Sequence, residues 1–373
     1  MSNPLLKVKQ MGQSIWLDYI SRDILQHGKI ERMIIEDALS GMTSNPAIFE
    51  KAIGSSDLYD DDIHSLADSG KSPQEIYETI AIQDVQHAAD LFTLVYNETN
   101  GWDGYVSLEV NPHLAMDAVG TIKEARRLWE QVNRQNIYIK VPGTLPGLIA
   151  VETLISEGIN VNITLLFGLK RYREFTKAYI RGIEKLLNTG KPVENISSVA
   201  SFFVSRMDTL VDPKIQEFVG ENGEQAHFGS EGYGQTGIAN AILAHEIFKE
   251  VFHSEHFKHL KSRGANVQRL LWASTSTKNP DFPDVKYMDA LLIPGTINTV
   301  PPETLDAYRD HGKIEDQKLY DPVWAQKIIN QLPEMGIDIN QVTDELEREG
   351  IEKFNQPYDK MLKSLREKMA VLR

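Results

Sequence analysis

The sequence predicts a single (β/α)8 barrel, with residues 1–373 as one domain. Three observations carry this. Eight short apolar stretches alternate with helical patterns along most of the chain, as in a parallel sheet wound with helices. Polar and charged residues gather where those stretches end, and in a (β/α)8 barrel all such ends open on one face. No GxGxxG or GxxxxGKS loop follows any stretch, which argues against the main rival, a doubly wound open sheet binding a nucleotide.

Taken in order, Ser14 to Ile20 (SIWLDYI) reads as a first strand ending near Asp18. Ser21 or Asp23 is placed to cap the helical segment IERMIIEDALS. Gly41 to Ser44 is a short second strand with Asn45 and Pro46 at its exit. From Ala47 to Asn97 the pattern is helical, and Ser72-Pro73 starts the longest run. Tyr105 to Val110 is the third strand, stopped by Asn111-Pro112. The helix TIKEARRLWEQVN leads to the fourth, Asn136 to Lys140, built from β-branched and aromatic residues. Pro142 cannot donate to a ladder and Gly143 permits a turn, so this strand should stop at or just after Lys140.

The helix LIAVETLISEG ends at Gly158, and Ile159 to Phe167 is the fifth strand. A charged helix (KRYREFTKAYIRGIEKLLNTG) carries the chain to the sixth, Ser198 to Val204. Residues 212–237, with clustered Gly, Glu, Gln and Ser, read as an insertion, and helix resumes from Ile238 to Phe252. Gln268 to Ser276 is the seventh strand and Met288 to Ile293 (MDALLI) the eighth, followed by Pro294-Gly295. Two helical stretches, QKLYDPVWAQKIINQL and IEKFNQPYDKMLKSLREKM, end the chain.

Composition narrows the function. At 41% hydrophobic and 25% charged residues the chain has ample core and an ordinary surface. A net charge of −14 disfavours nucleic acid and anionic membranes, which repel an acidic surface, yet leaves room for a small anion where basic residues converge. The absence of cysteine removes disulfides, thiolate nucleophiles and cysteine metal sites. No apolar run suits a signal peptide or a membrane span, so a cytoplasmic protein is expected. No stretch fixes an oligomeric state, and a homo-oligomer stays open. The histidines of EVFHSEHFKHL (His253, His256, His259) lie only roughly on one helical face, and the lysines around them suit a solvated helix better than a metal site.

The strand ends carry Asp18, Asn45, Glu109, Lys140, Asn162 with Thr164, Ser201 with Arg206, and Ser276 with Lys278. A lysine closing an apolar strand is costly unless it is paired or used. An ordinary lysine, with a pKa of about 10.4, is almost wholly protonated at neutral pH. Burial lowers that value and yields an amine able to attack a carbonyl, which makes Lys140 a candidate for Schiff-base chemistry. Asp18 and Glu109 offer two separately tunable groups for the proton transfers such chemistry requires. Asn45, Asn162, Thr164 and Ser201 suit sugar hydroxyls, while Arg206 and Lys278 suit a terminal phosphate near strands seven and eight. Each residue also has a plain structural reading: Asp18 as a helix cap, Glu109 as a solvated strand end, Arg206 as an ion pair with Asp208.

The motifs WLDYISRD (16–23), GMTSNPAIFEKAI (41–53), VSLEV (106–110), IKVPGT (139–144), INVNITLLF (159–167) and SFFVSRMD (201–208) resemble those of the transaldolase family. WASTSTKNP (272–280) and IPGTINTVP (293–301) complete the set, so the resemblance runs from about Ser14 to Thr299 and more weakly beyond. Length and the 212–237 segment look like the longer, single-function branch of that family. The resemblance implies that Lys140 forms a Schiff base with a ketose phosphate, fructose 6-phosphate or sedoheptulose 7-phosphate. Asp18 would take the C4 hydroxyl proton as the C3–C4 bond breaks. Glu109 would move protons through a water placed by Thr164. Asn45, Asn162 and Ser201 would hold the three-carbon fragment, and Arg206 would bind the phosphate. The enamine would then pass to erythrose 4-phosphate or glyceraldehyde 3-phosphate, with no metal or organic cofactor.

The chain departs from the family where many members carry a second phosphate-binding arginine after strand seven. Here that place holds Ser274 to Lys278, and Lys278, with Ser276, is assigned the role. Lysine is a point charge without arginine's forked donors. Two alternatives remain: a fructose-6-phosphate aldolase, which would release dihydroxyacetone to water, and a non-catalytic sugar-phosphate-binding barrel.

Overall fold

Eight parallel strands close in sequence order: β1 (Ser14–Asp18), β2 (Leu39–Thr43), β3 (Tyr105–Glu109), β4 (Ile137–Pro142), β5 (Val161–Leu166), β6 (Ser198–Phe203), β7 (Gln268–Ala273) and β8 (Ile297–Val300). β8 pairs back with β1, so the sheet has no edge and the open-sheet rival is excluded. This computed structural model describes residues 3–222, 231–314 and 321–371. Among the described residues no helix is long and apolar enough to cross a membrane.

Side chains two apart on a strand share a face. Trp16 therefore sits one layer beneath Asp18, Tyr138 beneath Lys140, and Tyr105 two layers beneath Glu109. The three rings stack inside the barrel, with centroids 6.1 Å apart for Trp16 and Tyr138 and 4.4 Å for Tyr105 and Tyr138. They form the floor of the site. β2 makes room for Trp16 with Gly41, where a Cβ would stand 2.5 Å from the indole.

Below that floor the N-terminal end of the barrel is closed by a buried charge network. Arg269, 3% exposed, meets Asp103 Oδ1 at 3.1 Å and Ser14 Oγ at 2.6 Å. Asp103 also accepts from Trp16 Nε1 at 3.0 Å and Ser14 Oγ at 2.6 Å. Arg269→Met removes one partner and leaves Asp103 buried without its counter-charge. We predict a loss of about 3–5 kcal/mol, read as a lower denaturation midpoint, with kcat of the folded fraction unchanged. An unchanged midpoint would show the network to be decorative.

The C-terminal helix Ile339–Val371 returns across the top of the barrel. Gly350 lets it approach β5 closely, where a Cβ would lie 2.9 Å from Leu165 Cδ2. Leu165 itself has φ 62, and the pairing of β5 with β6 shifts register there. Phe354, one turn further on, stands over Lys140 with its ring centroid 5.7 Å from Nζ.

Four expectations are corrected. MDALLI is not a strand: Lys286–Ala290 is helical, and β8 is Ile297–Val300, after Pro294-Gly295. A short apolar run does not separate the two states, whereas Ile297, Thr299 and Val300 are β-branched. The segment from 212 is not a loop at its start, because the helix Ser205–Asn222 runs through it and buries Met207, Val211 and Ile215 at helical spacing. Residues 231–232 are also helical, a helix runs from Thr236 to Phe252, and residues 223–230 of the expected insertion lie outside the described residues. β4 runs two residues past Lys140 to Pro142, opposite Thr164 of β5. Finally, IERMIIEDALS contributes to a short helix, Lys29–Glu36, that starts at Gly28; Ser21 precedes a separate turn, Arg22–Leu25, and makes no side-chain cap bond.

Candidate active site

Register puts the central groups in one layer. Glu109 of β3 lies opposite Lys140 of β4, and Lys140 opposite Asn162 of β5. Lys140 is 4% exposed. Its Nζ donates to the Ser44 carbonyl at 3.1 Å and stands 3.6 Å from Glu109 Oε2. Across the barrel, Asp18 accepts from Thr43 Oγ1 at 2.6 Å, and Thr43 meets Thr299 at 2.7 Å. Asp18 is thus held by strands β1, β2 and β8 together, and it caps no helix.

Both carboxyl groups are tuned by burial. Burial raises Asp18 above the usual carboxylate range, against the opposing pull of Lys140, the Thr43 hydrogen bond and Arg206. Burial likewise pushes Glu109 up to about 7, with Lys140 working in the other direction. Among the described residues neither Glu109 oxygen has a hydrogen-bond partner, nor has the Thr164 hydroxyl. A carboxyl group that titrates near neutrality can take and return a proton in one cycle. Glu109→Gln should therefore remove an acid limb near pH 7 from the kcat/KM profile and lower the plateau. The sign follows from a base that must be ionised: activity falls as pH drops through the folded-state value. A limb of unchanged position in the variant would assign it to another group.

The amides are positioned in two ways. Asn45 caps the helix Pro46–Gly54, its Oδ1 accepting from Ile48 N at 3.1 Å, which leaves its Nδ2 to face the cavity. Asn162 lies beneath the cavity, its Nδ2 donating to Ser107 Oγ at 3.0 Å and its Oδ1 accepting from Ser201 Oγ at 2.6 Å. Ser201 lines the cavity, and Asn162 sets the direction of its hydroxyl. Glu109 and Asn162 flank Lys140 in its own layer and Thr164 lies one layer further along, opposite Pro142, all three buried, while Asp18, Asn45, Lys140, Ser201, Arg206, Ser276 and Lys278 face the cavity itself.

That cavity, of about 690 Å³, is large enough for a sugar phosphate. Arg206 lies in the first turn of the helix after β6, over the Phe203 ring at 5.2 Å, and among the described residues its buried Nη1 has no hydrogen-bond partner. It does not pair with Asp208, which is buried and accepts from Gly237 N at 2.6 Å and Tyr287 OH at 2.8 Å. Lys278 lies past the end of β7 and donates to Ser276 Oγ at 2.7 Å. Burial lowers Lys278, and the nearby Arg206 adds to that effect. Two cations that disfavour each other gain when a dianion comes between them.

Several wall residues carried no signal in the sequence. Thr43 and Thr299 read as ordinary strand formers, Phe203 as core, and Phe354 as one apolar position of a long helix. Lys51 and the ion pair Lys29–Asp23, at 2.6 Å, also border the cavity. Among the described residues no cluster of His, Cys, Asp or Glu is arranged to hold a metal, and His256 instead meets Glu184 at 2.7 Å.

Fold and site together define a (β/α)8 enzyme centred on a buried lysine between two carboxyl groups. Residues 15–365 match the family model described as Transaldolase/Fructose-6-phosphate aldolase. The chain belongs to that family. It is 46% identical over 377 residues to "Transaldolase 2" of Nostoc punctiforme, covering 100% of this chain and 99% of the relative. It is 43% identical over 378 residues to a transaldolase of Trichodesmium erythraeum, covering 100% and 99%. With a transaldolase of Frankia alni it shares 41% identity over 372 residues, covering 99% and 98%.

Proposed function

We propose that this chain, as a single barrel domain in the cytoplasm, is a transaldolase of the non-oxidative pentose phosphate pathway. It moves a dihydroxyacetone unit from sedoheptulose 7-phosphate or fructose 6-phosphate to glyceraldehyde 3-phosphate or erythrose 4-phosphate. One observation carries the reading: Lys140 is buried 3.6 Å from Glu109, in a cavity bordered by Asp18 on one side and by Arg206 and Lys278 on another.

The Lys140 amine attacks the ketone carbon, and loss of water gives an iminium ion. Glu109 accepts and returns the protons of that step, with a water held by Thr164. Asp18 takes the C4 hydroxyl proton, the C3–C4 electron pair moves into the iminium, and an aldose phosphate leaves. The enamine left on Lys140 then attacks the acceptor aldehyde, Asp18 gives its proton back to the new alkoxide, and water releases the product ketose. Asn45 and Ser201 hold the three-carbon unit, Asn162 keeps Ser201 in line, and Arg206, Ser276 and Lys278 bind the phosphate.

Turnover of fructose 6-phosphate with and without erythrose 4-phosphate tests the reading. A transaldolase consumes the ketose only when acceptor is present; consumption at the same rate into water would make the chain a fructose-6-phosphate aldolase. Arg206→Ala should raise KM for phosphorylated sugars by about tenfold to a hundredfold, the worth of a charged hydrogen bond, and leave unphosphorylated sugars almost unaffected. Equal effects on both would place the phosphate elsewhere.

A further inference from the structure

The barrel gives the Lys140 amine polar neighbours: the Ser44 carbonyl at 3.1 Å and Glu109 Oε2 at 3.6 Å. The C-terminal helix gives it a phenyl ring. Phe354 lines the cavity and is 5% exposed, with its ring centroid 5.7 Å from Nζ. Its seat is fixed on both sides along the helix. One turn before it, Gly350 packs against Leu165 of β5. One turn after it, Tyr358 meets Tyr77 edge to face, with centroids 5.6 Å apart. Asp359 then meets His113 at 2.8 Å and Lys360 meets Glu50 at 2.9 Å. Residues 350, 354 and 358 are four apart, so one helix face makes all three contacts.

A phenyl ring has no proton to move and no hydrogen bond to offer a sugar. It can still favour positive charge on the nearby nitrogen through its face, and it can keep water out. The first effect serves every iminium on Lys140 alike. The second separates two outcomes. After cleavage Lys140 carries a three-carbon enamine whose C3 is nucleophilic. In transfer, C3 bonds to the acceptor's aldehyde carbon. In release, C3 takes a proton and the iminium returns. Water then adds to C2 and gives up that proton, the C2–N bond breaks, and dihydroxyacetone leaves with the Lys140 amine restored.

We infer that Phe354 is a specificity-determining residue that keeps the enamine for the acceptor. Its ring fills the space between Lys140 and the covering helix, from which bulk water would otherwise protonate C3 and hydrolyse the adduct. The assignment rests on the transaldolase reading of the site. It goes further by naming the side chain that sets transfer against release.

Parent, Phe354→Ala and Phe354→Leu are compared by two measurements. One is dihydroxyacetone released from fructose 6-phosphate without acceptor, relative to transfer to erythrose 4-phosphate. The other is the lifetime of the three-carbon adduct on Lys140 after rapid desalting, read by borohydride quenching at intervals. Phe354→Ala opens the space to the cavity mouth. It should raise the release-to-transfer ratio at least about tenfold and shorten the adduct lifetime by a similar factor. Phe354→Leu keeps most of the apolar bulk and should stay within about threefold of the parent. A merely structural role would lower release and transfer together and leave their ratio unmoved. Should Phe354→Ala fail to fold, Phe354→Val takes its place, with a rise of at least about threefold expected.

An unchanged ratio and lifetime in the folded variant overturn the assignment. So does a Phe354→Leu variant as leaky as Phe354→Ala, which would place the effect in the ring face. A parent that releases dihydroxyacetone as fast without acceptor as it transfers with one refutes the transaldolase reading itself. A strictly acceptor-dependent parent beside an equally strict Phe354→Ala refutes only the role of Phe354.

Discussion

Lys140→Ala is expected to lower turnover by about 10⁴-fold or more, as loss of a covalent nucleophile does elsewhere, while the barrel stays folded. Burial already pushes Glu109 up to about 7 and Lys140 pulls it down, so removing the lysine drives Glu109 further toward its neutral form. The variant therefore does not leave a buried charge stranded. Stopped assays with fructose 6-phosphate and erythrose 4-phosphate measure the first effect, and a denaturation midpoint within about 1 kcal/mol of the parent checks the second. A variant that keeps near-normal turnover would remove the lysine from the mechanism.

The second large effect is expected at Asp18. An asparagine there keeps the size of the side chain and can still meet Thr43, whose hydroxyl lies 2.6 Å from Oδ1, but it cannot take the C4 proton. Bond cleavage should slow by about 10²–10⁴-fold, the usual worth of a general base. Imine formation at Lys140 should be affected far less, because Glu109 and not Asp18 stands at 3.6 Å from the amine. Asp18→Asn should thus accumulate the uncleaved ketose on Lys140, a species of greater mass than the three-carbon adduct. A variant that cleaves at the parent rate would exclude Asp18 as the base.

Much of this site was legible because strand geometry does the placing. Side chains alternate and strand ends in a barrel converge, so the sequence alone brings Asp18, Glu109, Lys140 and Asn162 to one end of the barrel, as the strand register does. The residues that escaped did so for physical reasons. Phe354 reaches Lys140 from a helix distant in sequence, and its amphipathic pattern says that one face is buried without saying against what. Thr43 and Thr299 are indistinguishable from strand formers until the hydroxyl of Thr43 is seen on Asp18. The sequence suggests Asn162 as a sugar contact, whereas in the structure its amide is taken up by Ser107 and Ser201. β8 lies later than the sequence suggests because Met288 to Ile293 offers the longer apolar run, broken only by Asp289, while the strand itself, Ile297–Val300, is only four residues long.

The central claim is that a ketose phosphate becomes covalently attached through Lys140, the lysine between Asp18 and Glu109 in the barrel mouth. Borohydride reduction in the presence of fructose 6-phosphate, followed by intact-protein and peptide mass spectrometry, tests it most directly. A stable three-carbon adduct on Lys140, discharged when erythrose 4-phosphate is added before the reductant, is the predicted result. An adduct on another lysine, or none on any, would contradict it.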